Sequence, residues 1–110
     1  MTTIFDAVAD PTRRQILDLL RERSRTVNEL VDALQISQPG VSKQLRVLRE
    51  VGLVRVRQDA QRHWYELSPA PLAEVYIWLQ GYRQLLEARY DRLEELLDKL
   101  QTEEQNNEQA

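Results

Sequence analysis

The sequence predicts a mainly α chain carrying one small β-hairpin and closing in a long C-terminal helix. Three observations carry that expectation. Val41, Leu45 and Leu48 recur at i, i+4 and i+7, one buried helical stripe, just after a shorter apolar period over 26–34. Leu53-Val54-Arg55-Val56-Arg57-Gln58 and Gln61-Arg62-His63-Trp64-Tyr65-Glu66-Leu67 alternate as half-buried strands do, on either side of Asp59-Ala60. Leu72, Leu79, Leu86, Leu93 and Leu100 then repeat every seven residues.

In chain order, residues 3–8 read as a short helix presenting Ile4, Phe5 and Val8. Asp10-Pro11 starts a second helix, the carboxylate as cap and proline at a first-turn position where its missing N–H costs nothing. Ile16, Leu17, Leu19 and Leu20 give it a broad apolar face up to about Glu22–Ser24. Thr26 and Glu29 have the spacing of a capping box and open a third helix burying Leu30, Val31 and Leu34. Gln35-Ile36-Ser37 is a turn, with Ser37 as cap of the helix that holds the first stripe and Pro39 in its first turn. Two short helices joined so closely make a helix-turn-helix. Gly52 fits a left-handed helix end.

In the hairpin, alternation puts Val54, Val56, His63, Tyr65 and Leu67 on the inner face and Arg55, Arg57, Arg62, Trp64 and Glu66 on the outer. An isolated two-stranded ribbon is at best marginal in water, so this one leans on the helices as a wing. His63 and Tyr65 read as packed residues of that wing, Trp64 as packing or as an outward stacking surface. Ser68 caps the last helix, whose seam Gly81 interrupts at a cost of about 1 kcal/mol against alanine, fitting the close approach of another helix. Residues 1–68 form the helix-turn-helix and wing, 69–102 a helix of the same domain, and 103–110 a polar tail that frays.

Composition narrows the chemistry. In 110 residues, 42% are hydrophobic and 30% charged, as in a soluble globular domain. There is no cysteine, which excludes disulfides and thiolate metal sites. No stretch approaches the roughly 20 apolar residues of a membrane span, and the N-terminus lacks the pattern of a secretory signal; a cytoplasmic location without a membrane partner is the default expectation. An enzyme would need an activated nucleophile or a matched acid–base pair, and the single histidine has no evident partner. No glycine-rich phosphate loop exists among three glycines. Neither a cofactor nor a metal site is expected.

The net charge of −3 is unevenly spread: residues 1–68 carry 11 Lys/Arg against 9 Asp/Glu, residues 69–110 carry 4 against 9. Within 37–62 stand six cations (Lys43, Arg46, Arg49, Arg55, Arg57, Arg62) and two anions, a local patch of the kind a phosphate backbone responds to. The outward set of the fourth helix, Gln38, Ser42, Lys43, Arg46 and Arg49, has no carboxylate. Amide and hydroxyl groups at its start suit base edges in a major groove, and the cations suit phosphates. The bland alternative is a solvated basic face.

Taken in order, these elements resemble a winged-helix transcriptional repressor of the ArsR/SmtB type. Four stretches spread over residues 5–72 carry the resemblance: Ala9-Asp10-Pro11-Thr12-Arg13-Arg14 with Ile16-Leu17; Ser37-Gln38-Pro39-Gly40-Val41-Ser42-Lys43-Gln44-Leu45; Leu48-Arg49-Glu50-Val51-Gly52-Leu53-Val54; and Tyr65-Glu66-Leu67-Ser68-Pro69. It implies a homodimer built from the first and last helices, bound to double-stranded DNA at a two-fold symmetric operator, and repression relieved by a signal. It puts DNA-reading positions at Gln38, Pro39, Ser42, Lys43, Gln44 and Arg46, joined by Arg49 of the outward set, and wing contacts at Arg57, Gln61 and Arg62. With the leucine seam it gives a dimer interface of Ile4, Phe5, Val8, Leu72, Val75, Leu79, Tyr82, Leu86 and Leu93. The chain departs from metal-sensing members, which use Cys pairs or His/Asp/Glu sets; here the only histidine lies in the wing, so the residues name no inducer. Two alternatives stay open: a winged-helix module that binds protein without specific DNA binding, and a metal-responsive repressor with carboxylate ligands.

Overall fold

The computed structural model describes residues 1–109, with side chains through 106. It contains six α-helices and one antiparallel hairpin: α1 (Ile4–Ala9), α2 (Pro11–Glu22), α3 (Val27–Leu34), α4 (Gln38–Glu50), β1 (Val54–Asp59), β2 (Arg62–Leu67), α5 (Leu72–Gln80) and α6 (Arg83–Gln109). Two compact units are formed, Met1–Tyr76 and the chain from Ile77 on.

The first unit closes around Ile4, Ala7, Ile16, Leu20, Leu30, Val41, Leu45, Leu48, Leu53 and Val54, all buried. α2, α3 and α4 contribute positions their periodicity marked, whereas α1 buries Ala7 beside Ile4 and leaves Phe5 exposed; Val31, Leu34, Leu17 and Leu19 pack half-buried at the edge. The starts of α1 to α4 each carry a side-chain cap. Asp10 accepts from the Arg13 N–H at 3.0 Å and Ser37 from the Gly40 N–H at 3.2 Å. Thr26 accepts from the Glu29 N–H at 3.3 Å, but the reciprocal half of the expected capping box is missing: the Glu29 carboxylate pairs with Arg23 at 2.7 Å instead. A complete box stands at α1, where Thr3 accepts from the Asp6 N–H and Asp6 from the Thr3 N–H. That bond is the chief reason the Asp6 carboxyl lies below its ordinary pKa.

The helix-turn-helix turns on Gln35, left-handed at φ 57°, directly after α3. Gly52 (φ 82°) ends α4 as expected: its N–H bonds the Arg49 carbonyl at 3.0 Å and the Leu53 N–H bonds the Leu48 carbonyl at 3.0 Å. These paired bonds are a Schellman motif, and Leu48 and Leu53 are both buried, the apolar contact such motifs carry. β1 then begins at the next residue.

The hairpin pairs Val54 with Leu67, Val56 with Tyr65 and Arg57 with Trp64, which keeps the expected faces. Its two-residue loop is Ala60-Gln61 rather than Asp59-Ala60, because Asp59 still pairs with Arg62 and Ala60 takes the positive φ of 56°. The ribbon is anchored at its root. Tyr65 exchanges backbone hydrogen bonds with Arg25 at 2.8 and 3.1 Å, and the Ser68 N–H bonds the Leu53 carbonyl at 2.8 Å. Ser68 does not cap the helix that follows, because α5 starts only at Leu72, four residues later.

The expected continuous C-terminal helix is divided. α5 ends at Gln80, the N–H groups of Gly81 and Tyr82 bond back to the carbonyls of Trp78 and Leu79 at 3.2 and 2.9 Å, and α6 begins at Arg83. Tightened turns of this kind end helices, and glycine is the residue that least resists leaving one. A Cβ on Gly81 would meet only the Trp78 carbonyl oxygen, at 3.4 Å, so no second helix of this chain demands the glycine. α6 continues through the polar stretch 103–109 expected to fray; Ala110 lies outside the described residues.

Replacing Gly52 with alanine tests the α4 terminus. The new Cβ would have ordinary contact with Pro71 at 3.5 Å, so the expected loss of about 1–2 kcal/mol is conformational. Chemical denaturation should show it with an unchanged m-value.

Candidate nucleic-acid interface

The outer face of α4 begins in a tightly folded first turn. A Cβ on Gly40 would sit 2.9 Å from Ile36 Cγ2 and 3.1 Å from Ser37 Oγ, so the turn closes over Ile36 only because residue 40 is glycine. Pro39 is exposed in this turn, and the Gln38 side chain donates from Nε2 to Ser42 Oγ at 3.3 Å across one helical turn. The exposed amide and the half-buried hydroxyl are thereby pre-oriented as a pair. Lys43, Arg46 and Arg49 follow, exposed and without an ion pair among the described residues.

Gln44 differs from its neighbours. It is half-buried, and its Oε1 accepts from Arg13 Nη1 at 2.9 Å. Arg13 also donates to the carbonyls of Ala7 at 2.8 Å and Asp6 at 2.9 Å, while Arg14 donates to those of Val8 and Ala9 at 2.8 and 2.9 Å. The carboxamide of Gln44 is thus tied to the end of α1. Sequence reasoning placed Gln44 among the reading residues and missed Arg13; the adjacent arginines after Asp10-Pro11 were the available signal.

On the wing, Arg57 is not free. Its Nε lies 2.6 Å from Glu66 Oε1 and its Nη1 3.6 Å from Asp59 Oδ2, while Arg55 Nε lies 3.1 Å from Glu66 Oε2. The hydrogen bond from Arg57 is the main cause that holds the Glu66 carboxyl below its ordinary value of 4.5, and the same bond raises the Arg57 pKa further. Gln61 and Arg62 stand at the hairpin tip. With His63 they line an open cleft against the start of α3, formed by Thr26, Val27, Asn28 and Glu29. His63 is exposed there, not packed as its inward parity suggested, because the ribbon tip extends past the helices that cover Tyr65 and Leu67.

Of the positions expected at a dimer interface, Ile4 is buried in the chain's own core, and Val8, Leu72 and Val75 are half-buried against it. Phe5, Leu79, Tyr82, Leu86 and Leu93 are exposed. So are Tyr90, Leu96, Leu97 and Leu100, which extend the apolar stripe of α6 beyond the expected set. Among the described residues no three His, Asp or Glu side chains converge as metal ligands, and no helix is long and apolar enough to cross a membrane.

A family model described as bacterial regulatory protein, arsR family, matches residues 10–56, from the Asp10 cap to the middle of β1. The chain is 30% identical over 82 residues to the transcriptional repressor SdpR of Bacillus subtilis, covering 74% of this chain and 91% of that one. It is 35% identical over 75 residues to the arsenical resistance operon repressor of Staphylococcus aureus, covering 68% and 72%. A crystal structure of an ArsR family transcriptional regulator superposes with a TM-score of 0.66 at 31% identity, over 76% of this chain and 87% of the other. The homodimeric winged helix-turn-helix DNA-binding domain of Mb0332 from Mycobacterium bovis gives 0.57 at 29% identity, over 71% and 72%.

The Glu66 pairing makes a pH prediction. A carboxylate with a depressed folded-state pKa contributes stability that is present above its unfolded value and lost as pH falls through the folded one. In an NMR titration of the side-chain carboxyls, Glu66 should titrate below 4.5 in the native protein and move up toward it in Arg57→Ala.

Proposed function

Because the chain belongs to the arsR family of bacterial regulatory proteins, we propose that it acts as a homodimeric, sequence-specific repressor of transcription bound to a two-fold symmetric operator. α4 enters the major groove. Gln38 and Ser42 read base edges, and Pro39 packs beside them. Lys43, Arg46 and Arg49 neutralise phosphates, with Gln44 at the rim of the contact through its free amide nitrogen. Arg57, Gln61 and Arg62 add a wing contact to the backbone.

The observation that carries this reading is the α4 face itself: a pre-oriented Gln38–Ser42 pair followed by three exposed cations that make no ion pair among the described residues. The homodimer rests on two supports. One is the row of exposed apolar side chains along α6, a contiguous stripe of a size that monomers rarely leave to water. The other is the homodimeric relative. A C2 dimer of helix-turn-helix units sets its recognition helices about 34 Å apart, one turn of B-DNA. The domain plan follows: residues 1–68 read DNA, 69–102 supply the dimer helices together with Phe5 and Val8 of α1, and 103–110 extend past them.

Salt-titrated binding to a duplex selected by the protein tests the interface. Lys43→Ala should lower the log–log salt slope by about 0.9, the share of one phosphate contact. An unchanged slope and affinity would remove Lys43 from the interface. Sedimentation at micromolar concentration should give twice the 13.0 kDa of one chain, and a species of one chain's mass alone would overturn the dimer.

A further inference from the structure

We infer that Glu66 is a specificity-determining residue: it occupies the wing arginines as an internal anion, so that DNA gains them only by displacing it. The inference rests on the reading that the wing touches the DNA backbone. Its own basis is the difference between two classes of cation in the proposed interface. Lys43, Arg46 and Arg49 of α4 make no ion pair among the described residues. Arg55 and Arg57 share one carboxylate, each Nε on a different oxygen, at 3.1 and 2.6 Å.

The strand register builds this arrangement. Glu66 stands directly opposite Arg55 across the ladder, and Arg57 lies two residues along on the same outer face. Glu66 is also the least exposed member, its side chain 19% accessible against 70% and 49% for the two arginines. The carboxylate is thus held by the ribbon while the guanidinium groups retain room to swing away. A phosphate offers the same recognition chemistry, two acceptor oxygens for an arginine fork, and competes for the same donors.

The competition discriminates between DNAs. Binding to non-operator DNA depends almost wholly on phosphate contacts. A wing whose Arg55 and Arg57 are already engaged by Glu66 and, for Arg57, Asp59 adds little beyond Arg62 to it. An operator that seats α4 through base contacts holds the backbone against the wing long enough for the exchange, and loses proportionally less. Specificity is a difference of affinities, and an element that weakens the wrong complex raises it.

Three variants test this: Glu66→Gln, which keeps the side chain's size and an acceptor oxygen, Arg57→Ala, and the two together. Each is titrated with salt on a random-sequence duplex and on the duplex that the wild-type protein selects from a random pool. Glu66→Gln should bind the random duplex several-fold tighter, with a slope steeper by at most about 0.9, since Arg57 is the proposed contact and keeps Asp59 at 3.6 Å, and should narrow the ratio between the two duplexes. Adding Arg57→Ala should remove most of that gain. Random-duplex binding by Glu66→Gln equal to wild type overturns the inference, as does a gain that survives Arg57→Ala undiminished. If Arg57→Ala alone lowers the slope while Glu66→Gln changes nothing, the wing contact stands and only the role of Glu66 falls. If neither variant changes binding, the wing contact falls with it.

Discussion

Arg13 and Arg14 hold the reading unit together at the point where it is weakest. α1 has six residues, far too few to be stable by propagation alone, and a helix end leaves its last four carbonyls without intrahelical partners. Here those four, at Asp6, Ala7, Val8 and Ala9, each accept from one of the two guanidinium groups. The positive charges also stand at the negative end of the helix dipole. The remaining arm of Arg13 reaches Gln44, so the end of α1 and the side of α4 are fastened through one side chain. Ile4 and Ala7 enter the core with α1 held in this way, Val8 packs half-buried against it, and Phe5 is left exposed.

Much of this was legible in the chain. The stripe Val41, Leu45, Leu48 is buried as its spacing required, and Gly52 turns left-handed where a helix had to stop. The strand faces followed from parity because one side of the ribbon meets the core. What sequence reasoning could not supply was the choice among equivalent partners. Glu29 had the spacing of a capping residue but pairs with Arg23, and Ser68 had the type of a cap but α5 begins only at Leu72. The sequence marked Gly81 as an interruption of the seam and fitted it to the close approach of another helix; the helix instead divides there.

The interface residues show the same division between type and partner. Lys43 and Arg57 look alike in the sequence, both cations at outward positions. One stands alone on a helix, the other faces a carboxylate fixed by strand register. Gln38 and Gln44 are likewise the same residue on the same helix. The first is oriented with Ser42 toward solvent, the second is turned toward Arg13. Charge and residue type located the patch; only tertiary partners sort its members into those that are free and those already engaged.

The junction between α4 and β1 has a mechanical consequence. The Leu53 N–H is bound to α4 through the Leu48 carbonyl, and its own carbonyl is bound by Ser68 just beyond β2. With Leu53 fully buried between them, helix and ribbon meet without a linker and must pivot together as one lever. On the proposed reading, substitutions at Gln38 or Ser42 retune the bases preferred without altering where the wing falls on the backbone. On the same reading, adjustment to operators of different half-site separation comes from hinges outside this lever.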